Sequence, residues 1–204
     1  MNTASEQVDA LVLAGGRSSR MGGADKLARE VAPGLSLLRH AALQALAAGF
    51  REVIVVLPVP DRGRASLLEG LALRVVAAPE AAEGMAGSLR AGIAALRPGA
   101  AGLLVHLADM PDIGTRDLAA LRRAFDGDPA TILRAGTADG RPGNPVLFGA
   151  AHFGALAQLA GDTGARALLA TSPVTLIPLP GHRALTDLDT EEDWRAWQDG
   201  GNPP

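Results

Sequence analysis

The stretch "LVLAGGRSSRMGGADKL", Leu11 to Leu27, passes at once from an apolar run into glycine, serine and basic residues. Gly15 and Gly16 would let backbone N–H groups approach an anion with no Cβ in the way. Arg20 offers a planar fork of donors suited to phosphate, and Lys26 a compact positive charge. Together they describe a polyphosphate cradle; the alternative is a flexible Gly/Ser loop with solvated charges. The stretch matches neither G-x-x-x-x-G-K-[ST] nor G-x-G-x-x-G, so it is neither a standard P-loop nor a dinucleotide fingerprint.

Four further stretches carry groups that could act with it. In "HLADMPDI", Asp109 follows an apolar run, where a carboxylate can hold Mg²⁺ together with phosphate oxygens. Asp109 could instead cap a helix starting near Gly114, although Asp112 or Thr115 would serve equally well. In "TDLDTEEDW", Asp187 and Asp189 alternate and would project to one side of an extended segment, unless they belong to a solvated acidic turn. Asp189 is the candidate for a second metal carboxylate. In "GDTGARALL", Asp162, Thr163 and Gly164 read as a turn opening a helix. Arg166 in its first turn is disfavoured unless it meets a ligand or an acid such as Asp162. In "EGMAGSLRAGI", Met85 and Ser88 could approach a nucleobase or a substrate, or Ser88 could simply cap the helix.

These groups need a scaffold that brings them to one edge. "VDALVLA" (Val8–Ala14), "REVIVVL" (Arg51–Leu57), "LRVVAA" (Leu73–Ala78) and "GLLVHLA" (Gly102–Ala108) are near-continuous Val, Leu and Ile, the pattern of strands covered on both faces. Helical spacing fills the intervals at about Ser36–Ala48, Arg62–Glu69, Met85–Leu96 and Arg116–Phe125. The alternation predicts an α/β fold with a parallel sheet, whose ligands bind beyond the carboxyl ends of the strands. Later, Ala130–Ala135 and Asn144–Phe148 read as strands, Gly149–Leu159 and Thr163–Ala170 as helices, and Val174–Leu179 as a strand. A last helix is expected over Glu191–Gln198 with Thr190 as its N-cap.

Composition narrows the function classes. The 204 residues suit one domain, 1–204, with a core over about 8–198. Aromatics are 3% and the net charge is -3, which removes stacking platforms and the electrostatic footprint for nucleic acid. Cysteine is absent, so thiolate chemistry is excluded, and the four histidines lack metal-ligand spacing. The first residues lack the pattern of a signal peptide and no apolar run is long enough to span a bilayer, so a cytoplasmic protein without membrane partners is expected.

In this order, "LAGGRSSRMGGADKL", "LADMPDI", "GNPVLF", "GDTGARALL" and "DLDTEED" resemble the nucleotidyltransferases that finish the molybdenum cofactor, over about Leu11 to Trp194. The last two motifs resemble the cytidylyltransferase branch more narrowly. That branch usually reads L-A-A-G in its first motif, whereas Gly15-Gly16 gives L-A-G-G, as in the guanylyltransferase branch. "VAPGLSLL" also has Leu35 and Ser36 where the family usually has a lysine after the glycine. The resemblance implies a three-layer Rossmann-like fold, mostly parallel, with helices on both faces. It implies that Leu13, Ala14, Gly15 and Gly16, with Met85 and Ser88, lie at the nucleotide and that Arg20 and Lys26 bind the triphosphate. Asp109 and Asp189 would hold Mg²⁺, while Gly143, Asn144, Pro145, Asp162, Gly164 and Arg166 would face the pterin. The expected reaction is transfer of CMP from CTP to molybdopterin with release of pyrophosphate, in which Arg20, Lys26 and Asp109 are the catalytic set. A molybdoenzyme or its chaperone is a further expected partner. GTP as donor, another phosphorylated acceptor, and a non-catalytic carrier of nucleotide or molybdenum cofactor are the alternatives.

Overall fold

A computed structural model describes residues 3–16, 25–161 and 165–200. Its centre is a seven-stranded sheet. The strands are β1 (Val8–Leu13), β4 (Val53–Pro58), β5 (Arg74–Ala78), β6 (Gly102–Leu107), β7 (Ile132–Gly136), β8 (Pro142–Gly149) and β9 (Thr175–Pro178), in the spatial order β5-β4-β1-β6-β8-β7-β9. β8 runs antiparallel to both neighbours and every other pairing is parallel. A short antiparallel hairpin, β2 (Glu30–Ala32) with β3 (Leu35–Ser36), stands apart and turns at Gly34 with a φ of 73°.

All six residues of β1 are buried, as expected of a strand covered twice. Val8, Ala10 and Val12 face one core, shared with α1 (Leu37–Ala47), α3 (Thr115–Ala124) and α6 (Glu191–Gln198) through Ala41, Leu118 and Trp194. Leu11 and Leu13 face the other, shared with α2 (Met85–Ala94), α4 (Phe153–Leu156) and α5 (Arg166–Thr171). The mostly parallel sheet with helices on both faces is the architecture the alternating pattern predicts.

Several boundaries differ for local reasons. The helix expected over Arg62–Glu69 is one 3₁₀ turn, Ser66–Leu68. Before it, Asp61 accepts from the N–H groups of Gly63 and Ala65, and Arg62 sits at φ 58°, a left-handed conformation no helix continues. Gly149–Leu159 is a 3₁₀ turn followed by the four-residue α4. Gly84, at φ 106°, begins α2, so Ser88 is an interior helical residue and not the cap. At α3 neither Asp112 nor Thr115 caps: the Asp117 carboxylate accepts from Gly114 N–H, Thr115 donates to Gln44, and Asp112 accepts from Trp197 Nε1. Ser36 and Thr190 do cap α1 and α6.

Candidate functional site

β1 is the point where the sheet changes direction: the chain builds β4 and β5 on one side of it and then crosses to β6 on the other. The crevice beyond the carboxyl ends of β1 and β6 is where such sheets bind ligands. Lys26 and Asp109, in the segments that follow these two strands, meet at this edge.

The Lys26 ammonium lies 2.6 Å from Asp109 Oδ2 and 2.6 Å from Asp189 Oδ1. Lys26 is 5% exposed. Burial alone would lower its pKa, but the Asp109 charge and the hydrogen bonds it donates to both acids outweigh burial and raise it. Local structure explains how acids 80 positions apart in the chain meet. Leu188 N–H donates to the Asp109 carbonyl at 3.0 Å, tying the two segments together one residue before Asp189. The capping box of α6 then fixes the other side, because Asp193 Oδ2 accepts from the N–H groups of Asp189 and Thr190. Asp187 stands nearby and exposed; partial desolvation and the charges of Asp109 and Asp189 push its carboxyl up.

Asp109 Oδ1 is buried and has no hydrogen-bond partner among the described residues. A buried carboxylate oxygen left this way suits a hard cation. Among the described residues no group of three or more His, Cys, Asp or Glu could hold a metal. A cation here would therefore complete its shell with phosphate oxygens and water, the usual habit of Mg²⁺.

Leu13 O accepts from Ala108 N–H, and Ala14 N–H donates to Val56 O, so those groups serve the sheet. Gly15 and Gly16 line a cavity of about 210 Å³ with Pro58, Val59, Pro60 and Ala81. A Cβ on Gly15 would sit 2.2 Å from Ser88 Oγ. Ser88 thus joins this part of the site, whereas Met85 lines a second cavity beyond β6. Arg20 lies outside the described residues, as do Asp162 and Gly164.

Of the residues expected at the acceptor, Asn144 and Arg166 both line that second cavity. Gly143 and Pro145 are buried framework. A Cβ on Gly143 would lie 2.0 Å from Ala184 O, which already accepts from Asn144 N–H at 2.8 Å.

Two arginines were not anticipated. Arg64 is completely buried. Its guanidinium holds Asp25 bidentately at 2.7 and 2.8 Å and also donates to the carbonyls of Ala14 and Gly16. It therefore grips the loop after β1 on both flanks. Arg134, on β7, lines the second cavity. Ile132 and Arg134 share a strand face by alternation, and the position of an arginine where an inward residue is expected was the available signal.

Residues 10–176 match the MobA-like NTP transferase domain. The chain belongs to this family of nucleotidyltransferases. Rv0371c of Mycobacterium tuberculosis is 31% identical, its crystal structure superposes with a TM-score of 0.80, and the match covers 95% of this chain and 98% of that one. A structure of Rv0371c in complex with manganese matches at 30% identity, a TM-score of 0.78 and the same coverage of 95% and 98%. A nucleotidyl transferase from Methanothermobacter thermautotroptrophicus shares the fold, with a TM-score of 0.80 at 21% identity over 95% of this chain and 96% of that one. No curated protein sequence matches significantly. No helix among the described residues of this transferase is long and apolar enough to cross a membrane.

Proposed function

We propose that this transferase moves CMP from CTP to the terminal phosphate of molybdopterin and releases pyrophosphate. The observation that carries the nucleotidyl-transfer reading is Lys26 held between Asp109 and Asp189 at the carboxyl edge of the sheet. The choice of CTP and molybdopterin is supported by "GDTGARALL" and "DLDTEED".

In this reading the base occupies the cavity beside Gly15 and Ser88, and the amides of Gly15 and Gly16 face the phosphates. Lys26 would turn from the acids to phosphate oxygens when nucleotide arrives, and Asp109 and Asp189 would hold Mg²⁺. That ion, when bound, neutralises charge on phosphate oxygens. An oxygen of the acceptor phosphate attacks the α-phosphorus, and the bond to the bridging oxygen of the β-phosphate breaks. Lys26, Arg20 and the loop amides stabilise the departing pyrophosphate. No covalent intermediate on the protein is required, and catalysis consists of positioning and charge stabilisation. The nucleotide-charged cofactor would pass to a molybdoenzyme or its chaperone.

GTP is the second reading, and Gly15 favours it. The alanine of the cytidylyltransferase pattern would meet Ser88 Oγ at 2.2 Å at this position. Pyrophosphate release with each of the four nucleoside triphosphates, with and without molybdopterin, decides between them. Release with CTP and molybdopterin is expected. Release with GTP alone selects the second reading, and tight binding without release marks a carrier.

A further inference from the structure

The second cavity has a volume of about 160 Å³. Its floor is one face of the sheet: Val105 and Leu107 of β6, Asn144, Val146 and Phe148 of β8, and Arg134 of β7. Its roof is Met85 and Leu89 of α2 with Leu169 of α5. Leu107 stands two residues before Asp109 in the chain. Walls this apolar take one ring or chain segment; the volume falls below the roughly 300–1,000 Å³ of a full ligand pocket.

Two cations look into this apolar space, Arg134 and Arg166, and no acidic side chain lines it among the described residues. The other arginines near the sheet edges are paired: Arg51 with Asp9, Arg74 with Glu52, Arg64 with Asp25. Arg134 spends its Nε on the Gly143 carbonyl at 2.7 Å, which fixes the plane of the guanidinium and leaves the outer nitrogens for a ligand. Burial and, after it, the neighbouring Arg166 charge pull the Arg134 pKa down.

We propose that Arg134 and Arg166 form an anion clamp for the acceptor, one that seizes a phosphate monoester whose apolar or planar body lies on Val146 and Phe148. The assignment to the acceptor rests on the nucleotidyl-transfer reading above; the clamp itself does not. A guanidinium fork meets phosphate bidentately, and two forks discriminate a phosphate dianion from a neutral ring of the same shape. Arg134 is then a binding residue for the acceptor that has no counterpart among the motifs read from the sequence.

The test is titration of phenyl phosphate into the full chain, with phenol and inorganic phosphate as half-ligand controls. Phenyl phosphate is expected to bind more tightly than either control. R134Q and R166Q are each expected to weaken it on the order of tenfold or more while leaving phenol and nucleoside triphosphate binding unchanged. Arg166 is exposed, so R166Q carries the test even if R134Q unfolds. Phenyl phosphate that does not bind, binds equally to both variants, or is displaced competitively by nucleoside triphosphate overturns the clamp. If no nucleotide releases pyrophosphate with molybdopterin yet phenyl phosphate binding remains arginine-dependent, the acceptor reading fails and the anion site stands.

Discussion

Lys26 answers two needs with one charge. In the protein alone it keeps two carboxylates from facing each other bare; in the proposed reaction it would turn from them to phosphate oxygens. K26M removes both functions. Turnover should fall by a factor on the order of a hundred or more, as for other removed charge-stabilising donors. The same variant should bind Mn²⁺ more tightly than the parent without nucleotide, because the acids no longer have an internal cation; a manganese titration followed by paramagnetic resonance reads this directly. Unchanged turnover would remove Lys26 from the chemistry, and unchanged Mn²⁺ affinity would remove it as a competitor for the acids. Gly15 and Ser88 form the other residue-scale pair. An added methyl at Gly15 meets the Ser88 hydroxyl at 2.2 Å but the Cβ atoms of Ser88 and Ala81 only at 3.4 Å, an ordinary contact. G15A should therefore raise the KM for the nucleotide, and the double variant G15A/S88A should recover most of the loss. Equal defects in the single and double variants would show that the hydroxyl is not the obstacle.

At the scale of elements, the loop after β1 depends on a residue from another part of the chain. Arg64 sits beyond β4 and holds Ala14, Gly16 and Asp25 together, and Asp25 in turn accepts from Leu27 N–H beside Lys26. R64Q leaves the half-buried Asp25 without its guanidinium and should cost roughly 2–3 kcal/mol of stability. R64K restores charge without the fork, so it should recover stability more than it recovers the KM for nucleotide. A lysine variant with parental kinetics would reduce Arg64 to a fold-stabilising role. Nothing in "PVPDRGRASLLE" announces this function, because one arginine among several polar loop residues has no local pattern. What was legible is what is periodic. β1, β4, β5 and β6 appear as apolar runs, and α6 appears with its cap because Thr190 and Asp193 lie three residues apart. The β2–β3 hairpin was not legible: β2 has three residues and only its middle one turns inward, too short for an alternation to register. The start of α2 at Met85 was legible, but the Ser88 cap fails because Gly84 supplies a conformation, not a side chain.

The whole molecule decides the rest. Asp109 lies 83 positions and Asp189 163 positions from Lys26, and their meeting follows from strand order, which no local window contains. The motifs nonetheless named both acids, because each sits in a recognisable segment; Arg64 and Arg134, which lack one, emerge only from the fold. The same central sheet buries a group that ties global stability to pH. His106 lies on β6, fully buried, and both ring nitrogens lack hydrogen-bond partners among the described residues. Burial, with the nearby His40 charge adding to it, lowers its pKa from 6.5 to about 3. Above pH 6.5 the ring is neutral in both folded and unfolded chains and exerts no pull. As the pH falls from 6.5 toward 3, the unfolded chain takes up a proton that the folded chain refuses, and folding weakens. At pH 5 this amounts to about 2 kcal/mol, from 1.36 kcal/mol per pH unit below the unfolded pKa. H106L removes the titrating group from this position. Chemical denaturation at pH 7.5 and pH 5 should therefore show a smaller loss of stability on acidification for H106L than for the parent, by about that amount. Equal losses in the two proteins would mean that acid sensitivity resides elsewhere.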